Sequence, residues 1–159
     1  MTQRFSAEET FDAPCAALFA LLTDPAFQED KARALGALAA TCTRADAPGG
    51  AVVLTLVETR TPSWLAGESR TSFVTRWDPA ALTGRWTLVV HGQEARSRSS
   101  GTSRIADAGA GRSRLHVGGE IEVRVPLLGG AIERKVVAGI TAGQVREAAL
   151  IRRRLAAAR

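Results

Sequence analysis

The stretch that decides the fold is Val123-Arg124-Val125-Pro126-Leu127-Leu128-Gly129-Gly130, with the proline-free run Ala131 to Ala158 behind it. Proline fixes its own φ and has no N–H for a ladder, so a strand entering this stretch stops at Pro126. Beyond it, Leu128, Ile132, Val136 and Ile140 recur every four residues, and Ala148, Ile151 and Leu155 continue the stripe. That period predicts one long amphipathic helix over 131–158. At 1.5 Å per residue it spans on the order of 40 Å, the length of a small domain. An apolar stripe of that length has to be covered, and the hundred residues before it read mostly as strands.

The strand leading into the helix alternates cleanly. Leu115, Val117, Ile121, Val123 and Val125 fall on one parity; Arg112, Arg114, His116, Glu120, Glu122 and Arg124 fall on the other. Gly118-Gly119 in its middle predicts a bulge or bend that curls the sheet. Upstream, Ala39 to Ala45, Ala51 to Thr61, Ser69 to Asp78, Gly84 to Gly92 and Ala95 to Ile105 are further strands, separated by short glycine- and proline-bearing turns. Such spacing means an antiparallel meander. Phe5 to Phe11 is a first strand. Asp12-Ala13-Pro14 then opens a short helix, expected to be apolar almost all round and buried. Asp24-Pro25 caps and starts a second, with Phe27, Leu35 and Leu38 as its apolar contributions and Gly36 as its left-handed stop.

A chain of 159 residues suits one domain over 1–159, and 45% hydrophobic with 23% charged residues is a globular composition. No apolar run approaches the ~20 residues of a membrane span. Glu8, Glu9 and Asp12 ahead of the apolar run Cys15 to Leu22 argue against a secretory signal. Cys15 and Cys42 share no motif spacing and read as reduced thiols, which points to the cytoplasm. The net charge of +5 invites a nucleic-acid partner. Against it, the arginines are scattered singly among strand residues, and tyrosine is absent, leaving no basic-aromatic platform for bases.

The inward parities carry the functional question. Trp86 and Leu88 are large, whereas Ser97, Ser99, Gly101 and Ser103 are small if Arg96, Arg98 and Arg104 face water. The helix adds Gly139 and Gly143. Small groups on facing walls leave space, filled either by Trp64, Phe73, Trp77 and Trp86 or by a ligand. The candidate lining is Trp64, Leu65, Phe73, Trp77, Trp86, Leu88, Ser97, Ser99, Ser103, Val136, Ile140, Gly143 and Gln144. His91 and His116 sit on outward parities, out of reach of a substrate inside. No ligand spacing for a metal, nucleophile elbow or phosphate loop is legible, so no catalytic residue, metal or cofactor is assigned. Thr141, Gln144 and the serines are neutral hydrogen-bonders, which orient a ligand rather than activate it; binding is favoured over catalysis. Trp64-Leu65 in the loop 61–67 is a candidate gate or a transient membrane contact, with packing of Trp64 over the sheet edge as the equal alternative.

The element order itself is distinctive: one strand, two helices, six strands in a curled meander, one long closing helix. In that order Phe11-Asp12-Ala13-Pro14 and Leu22-Thr23-Asp24-Pro25-Ala26-Phe27 resemble the START-like (SRPBCC, birch-pollen-allergen-like) superfamily. Thr23 to Phe27 with Lys31 to Gly36, and Val125 to Gly130 with Ile132-Glu133, are similar to one uncharacterised bacterial domain family within it. The likeness covers essentially the whole chain, and one departure is Gln28, where an aromatic often follows Phe27. The resemblance implies an α+β helix-grip fold: a curled seven-stranded antiparallel sheet gripping the C-terminal helix. It implies an elongated cavity for a hydrophobic small molecule such as a lipid, sterol, quinone or polyketide. Some members are cyclases or dehydratases, so an enzyme using the same cavity is the alternative. The sequence leaves the ligand's identity and the oligomeric state open.

Overall fold

The computed structural model describes residues 2–61, 66–124 and 129–159. The order is β1 (Thr2–Phe11), α1 (Cys15–Leu22), α2 (Pro25–Ala34), β2 (Ala39–Ala47), β3 (Ala51–Arg60), β4 (Ser69–Asp78), β5 (Thr83–Val90), β6 (Ser97–Gly109), β7 (Arg112–Val123) and α3 (Gly129–Ala157). All seven strands form one antiparallel sheet in the order β1-β7-β6-β5-β4-β3-β2. β1 and β2 are consecutive strands of the chain but sit at opposite edges. α1 and α2 therefore carry the chain from one edge to the other, and α3 lies along the same face. This is the helix-grip fold expected from the sequence.

Local chemistry explains the helix boundaries. The Asp24 carboxylate accepts the Ala26 N–H at 3.1 Å, and Pro25 occupies the first helical position, where its missing N–H costs nothing. Gly36 takes a φ of +103° just past α2, the left-handed conformation that ends helices. The buried side of α2 differs from the expected one: Phe27, Gln28 and Ala32 face inward, while Leu38 lies beyond the helix and is 62% exposed. Gln28 is buried because its Nε2 donates to the Leu22 carbonyl at 2.7 Å, satisfying a carbonyl at the end of α1. α1 is also less enclosed than expected. Leu18 and Leu22 are buried, whereas Ala16 and Ala20 face solvent.

The expected bulge at Gly118-Gly119 is absent. Pairing runs unbroken through both glycines on both sides, Phe5 opposite Gly119 and Gly101 opposite Gly119. The irregularity lies instead between Asp107 and Gly109. The physical role of Gly119 is different: the Trp86 indole lies on it and on Gly101 where side chains would otherwise stand.

The main core sits at one end of the sheet. Phe11, Leu18, Phe27, Leu54, Trp77, Ile105, Leu115, Ile151 and Leu155 pack there beneath α1, α2 and the last turns of α3. Arginines fasten that end. Arg152 donates to Glu9 at 2.6 Å and lies over the Phe11 ring, and Arg154 donates to Asp30 at 2.9 Å and lies over Phe27. The basic end of α3 thus does more than offset the helix dipole, because each guanidinium also covers an aromatic of the core.

Candidate functional site

α3 presents an inner stripe whose burial changes along its length. Glu133 near its start is fully buried, and Ala148, Ile151 and Leu155 near its end are buried. Between them Val136, Ile140, Gly143 and Gln144 are only half-buried. On one helical face, 3.6 residues per turn puts Glu133, Ile140, Gln144 and Ile151 in nearly one line. Along that line burial is complete at both ends and partial in the middle. A Cβ added at Gly143 meets nothing within 4 Å, so the space in front of this residue is empty among the described residues. Gly139 and Thr141, the other small and polar candidates of the helix, are exposed and turn outward. Thr141 instead bonds back to the Val137 carbonyl at 3.0 Å.

The sheet residues divide in the same way. Phe73, Leu88 and Ser97 are half-buried, while Trp77, Trp86, Ser99 and Ser103 are buried. Trp77 belongs to the core: it lies against Gly84, 3.0 Å from where a Cβ would stand, and meets Phe19 edge-on at 5.7 Å. Trp86 fills the space that Gly101 leaves, so an aromatic closes this part of the expected space. Phe73 stacks on Trp86 at 5.5 Å with 27° between the rings, and the Phe5 ring of β1 approaches the same indole to 5.9 Å. Trp64 and Leu65 lie outside the described residues.

Two buried polar atoms belong to neighbours of Phe73 in the sheet. Trp86 Nε1 and Thr71 Oγ1 are sealed from solvent with no hydrogen-bond partner among the described residues. Thr71 is the next inward-facing position on β4 after Phe73, and Trp86 stands diagonally across on β5. Buried donors without partners are uncommon in native proteins, so these two mark a place where packing is incomplete.

Sequence reasoning missed a charged pair at this end of the inner face. Glu58 and Arg60 share the inward parity of Leu54 and Leu56 on β3. Arg60 Nε donates to Glu58 at 2.6 Å and its Nη2 at 3.0 Å, while Nη1 donates to the Leu35 carbonyl at 2.6 Å. The signal was present in the period-2 pattern, which places Glu58 and Arg60 on the face of the leucines. The pair closes the C-terminal end of α2 onto the sheet. A second link, Lys31 Nζ to Glu147 at 3.0 Å, joins α2 to α3 just below Gln144.

Both histidines are on the outer face, as their parity implies. His91 Nε2 lies 2.7 Å from Ser72 Oγ, and His116 Nε2 lies 3.0 Å from Ser6 Oγ. Backbone N–H groups of Glu94 itself and of Gly92 hold the Glu94 carboxyl below its ordinary range beside His91. Also on the outer side, the missing side chain of Gly118 leaves an open depression of about 570 Å³ bordered by Arg4, Ser6, Ser100, Thr102 and Glu120. It is shallow and open. Among the described residues no group of three or more histidine, cysteine or carboxylate side chains converges as a metal site. No helix of the described residues is long and apolar enough to cross a membrane.

Comparison with solved structures places this architecture. A protein from Thermus thermophilus, TTHA0849, is similar with a TM-score of 0.71 at 18% identity, covering 98% of this chain and 99% of that one. The Zhui aromatase/cyclase from a Streptomyces species is similar with a TM-score of 0.70 at 14% identity, covering 98% and 94%. A START superfamily protein from Mycobacterium smegmatis is similar with a TM-score of 0.60 at 16% identity, covering 92% and 94%. At these identities the likeness is one of fold, and that fold is START-like. No functionally curated protein matches the chain in sequence. In sequence, residues 6–155 match the family described as "Protein of unknown function (DUF2505)". The match takes in all but the ends of the chain: this protein belongs to the DUF2505 family and has a START-like fold.

Proposed function

We propose that the protein binds or carries a hydrophobic small molecule in the gap between the sheet and the middle of α3. The observation that carries this reading is the interrupted burial of the α3 stripe, covered at Glu133 and at Ile151 and only partly covered at Val136, Ile140, Gly143 and Gln144. Interiors are normally packed to crystal density, and an apolar helix face left half-open in mid-span exposes area that a ligand would cover. The groups around it support orientation rather than chemistry. Phe73, Leu88, Val136 and Ile140 are apolar, and Ser97 and Gln144 are neutral hydrogen-bonders.

A catalytic reading of the same cavity would rest on Glu58, the inward-facing carboxylate of β3. Both of its oxygens are held by Arg60. A general base must be free to take a proton from the substrate, and this carboxylate is committed to an ion pair that also secures α2. Binding is therefore the reading that the geometry supports best.

The test is to fill the gap. Wild type and Gly143→Leu are titrated with the neutral fluorescent dye N-phenyl-1-naphthylamine, with circular dichroism as the fold control. Wild type is expected to bind at micromolar dye. The leucine variant should lose roughly tenfold or more of that affinity while its melting temperature holds or rises, since leucine is a better helix former than glycine by about 1 kcal/mol. Equal dye binding by the two proteins would overturn the site.

A further inference from the structure

We propose that the free edge of β1 is an interface for a second copy of this chain. The two sheets join through an antiparallel β1–β1 pair whose two-fold axis passes at Ser6. This goes beyond the binding reading above and does not rest on it.

The sheet has two edges, and the chain treats them differently. At β2, which pairs with β3 alone, side chains of α2 occupy outward peptide groups. Glu29 accepts the Cys42 N–H at 2.8 Å, and Arg33 donates to the Ala40 carbonyl at 2.9 Å. Such plugging keeps an edge strand from pairing with another chain. β1, ten residues long, pairs with β7 alone. Its Phe5 carbonyl turns toward Gly118 of β7. Successive residues of an antiparallel ladder turn their peptide groups to opposite sides, so those of Arg4, Ser6 and Glu8 face away from β7. Among the described residues nothing bonds to these groups. Arg152 reaches the Thr10 carbonyl at 3.3 Å, at the far end of the edge.

A free edge accepts many extended segments, and the charges of β1 select β1 itself. Thr2, Arg4, Ser6, Glu8 and Thr10 share the outer face of the strand. With Ser6 opposite Ser6, Arg4 of each copy stands opposite Glu8 of the other, twice by symmetry. The residues that meet are those whose peptide groups are free to exchange both bonds. Moving the axis to Arg4 or Glu8 sets like charges together, and moving it to Phe5 or Ala7 leaves both charges facing hydroxyls. Opposite charges across a strand pair are favourable and like charges are not, so the Ser6 register is preferred. Both side chains can reach outward: Arg4 is 86% and Glu8 53% exposed, with their present partners Glu120 and Arg114 at 3.7 and 3.4 Å. On the inner face the half-buried Phe5 comes opposite Ala7 of the other copy and gains apolar cover. Because the β2 edge is plugged, the pairing closes as a two-fold dimer and does not propagate into a fibre.

Sedimentation velocity of the full chain from about 1 to about 500 μM tests the interface, since a single strand pair is small and small interfaces associate weakly. Wild type should pass from monomer to dimer within that range. Arg4→Glu and Glu8→Arg each set like charges opposite one another in a homodimer, and each should weaken self-association roughly tenfold or more. An equimolar mixture of the two variants restores opposite charges at both crossings and should recover the wild-type dimer fraction. Ser6→Pro removes a free N–H at the axis and leaves the β1–β7 ladder intact, as proline on an edge strand can. It should be monomeric with an unchanged circular dichroism spectrum. Amide hydrogen exchange at Ser6 and Glu8 should slow as the wild-type concentration rises. Should Ser6→Pro fail to fold, the charge-reversed pair and the exchange rates decide. Wild type that stays monomeric throughout, a dimer that survives the single charge reversals, a mixture of the two variants that stays monomeric, or association that leaves exchange on β1 unchanged would each overturn the inference.

Discussion

Glu133 Oε1 accepts the amide N–H of Val123 at 2.9 Å, so a fully buried carboxylate in the first turns of α3 is tied to the last residue of β7. This link joins the two elements on either side of Pro126 and sets where the closing helix begins relative to the sheet. Glu133→Ala removes the acceptor and leaves a void, and should destabilise by about 2–4 kcal/mol. Glu133→Gln keeps an oxygen in place and should lose less than half of that. Urea unfolding of the three proteins gives the comparison; equal midpoints for the alanine variant and wild type would show that the contact carries no stability.

Gly119 faces Trp86 so closely that an added Cβ would stand 2.6 Å from the indole Cη2 and 2.6 Å from the Ser100 carbonyl oxygen. Neither backbone nor a stacked indole yields cheaply. Gly119→Ala should therefore lower stability by about 3 kcal/mol, the upper end of overpacking costs, and shift the near-ultraviolet tryptophan signal. Gly139→Ala, at an exposed helical position with nothing within 4 Å, should instead gain up to about 1 kcal/mol. Thermal melts of the two alanine variants should move in opposite directions.

Burial, followed by the neighbouring Glu29 carboxylate, pushes the Cys42 thiol from 9.0 up to about 11. The native thiol thus keeps its proton where the unfolded chain has lost it. Its contribution to stability is fully present below about pH 9 and is lost as the pH rises toward about 11. Wild type should lose more stability than Cys42→Val across that window, measured as the difference in urea midpoints at about pH 8 and about pH 10.5. Parallel curves for the two proteins would refute the assignment.

Gln28 Nε2 donates to the Leu22 carbonyl at 2.7 Å in a buried setting. Gln28→Leu leaves that carbonyl unpaired, and the expected loss is about 1–3 kcal/mol in spite of the added apolar volume. A leucine variant as stable as wild type would mean that another group reaches the carbonyl.

How much of this was legible beforehand differs by element. The strand parities held in β5, β6 and β7 because a two-residue period leaves one buried face, and inserted arginines mark the other. Asp24, Pro25 and Gly36 announced the bounds of α2 through capping chemistry that acts within a few residues. What the pattern misread were the places where a distant residue decides. Gly118-Gly119 resembled a bulge until Trp86, from a strand two places away in the sheet, supplied the reason for a glycine. Leu38 counted as apolar surface for α2, but the chain had already left the helix. Glu58 and Arg60 kept their inward parity unnoticed, because charged residues on a buried face need a partner that the sequence does not display.

By itself, then, the chain order of periods and caps determined the helix-grip architecture: two capped helices after one strand, a meander of alternating strands, and a helix whose stripe demands the sheet. Local sterics and hydrophobic periodicity suffice for that. Only the tertiary structure decided what stands beside the small residues. Trp86 fills the space beside Gly101, and among the described residues nothing stands within 4 Å of a Cβ placed at Gly143, because side-chain volume can be assigned to a space only when the strands and the helix that share it are brought together.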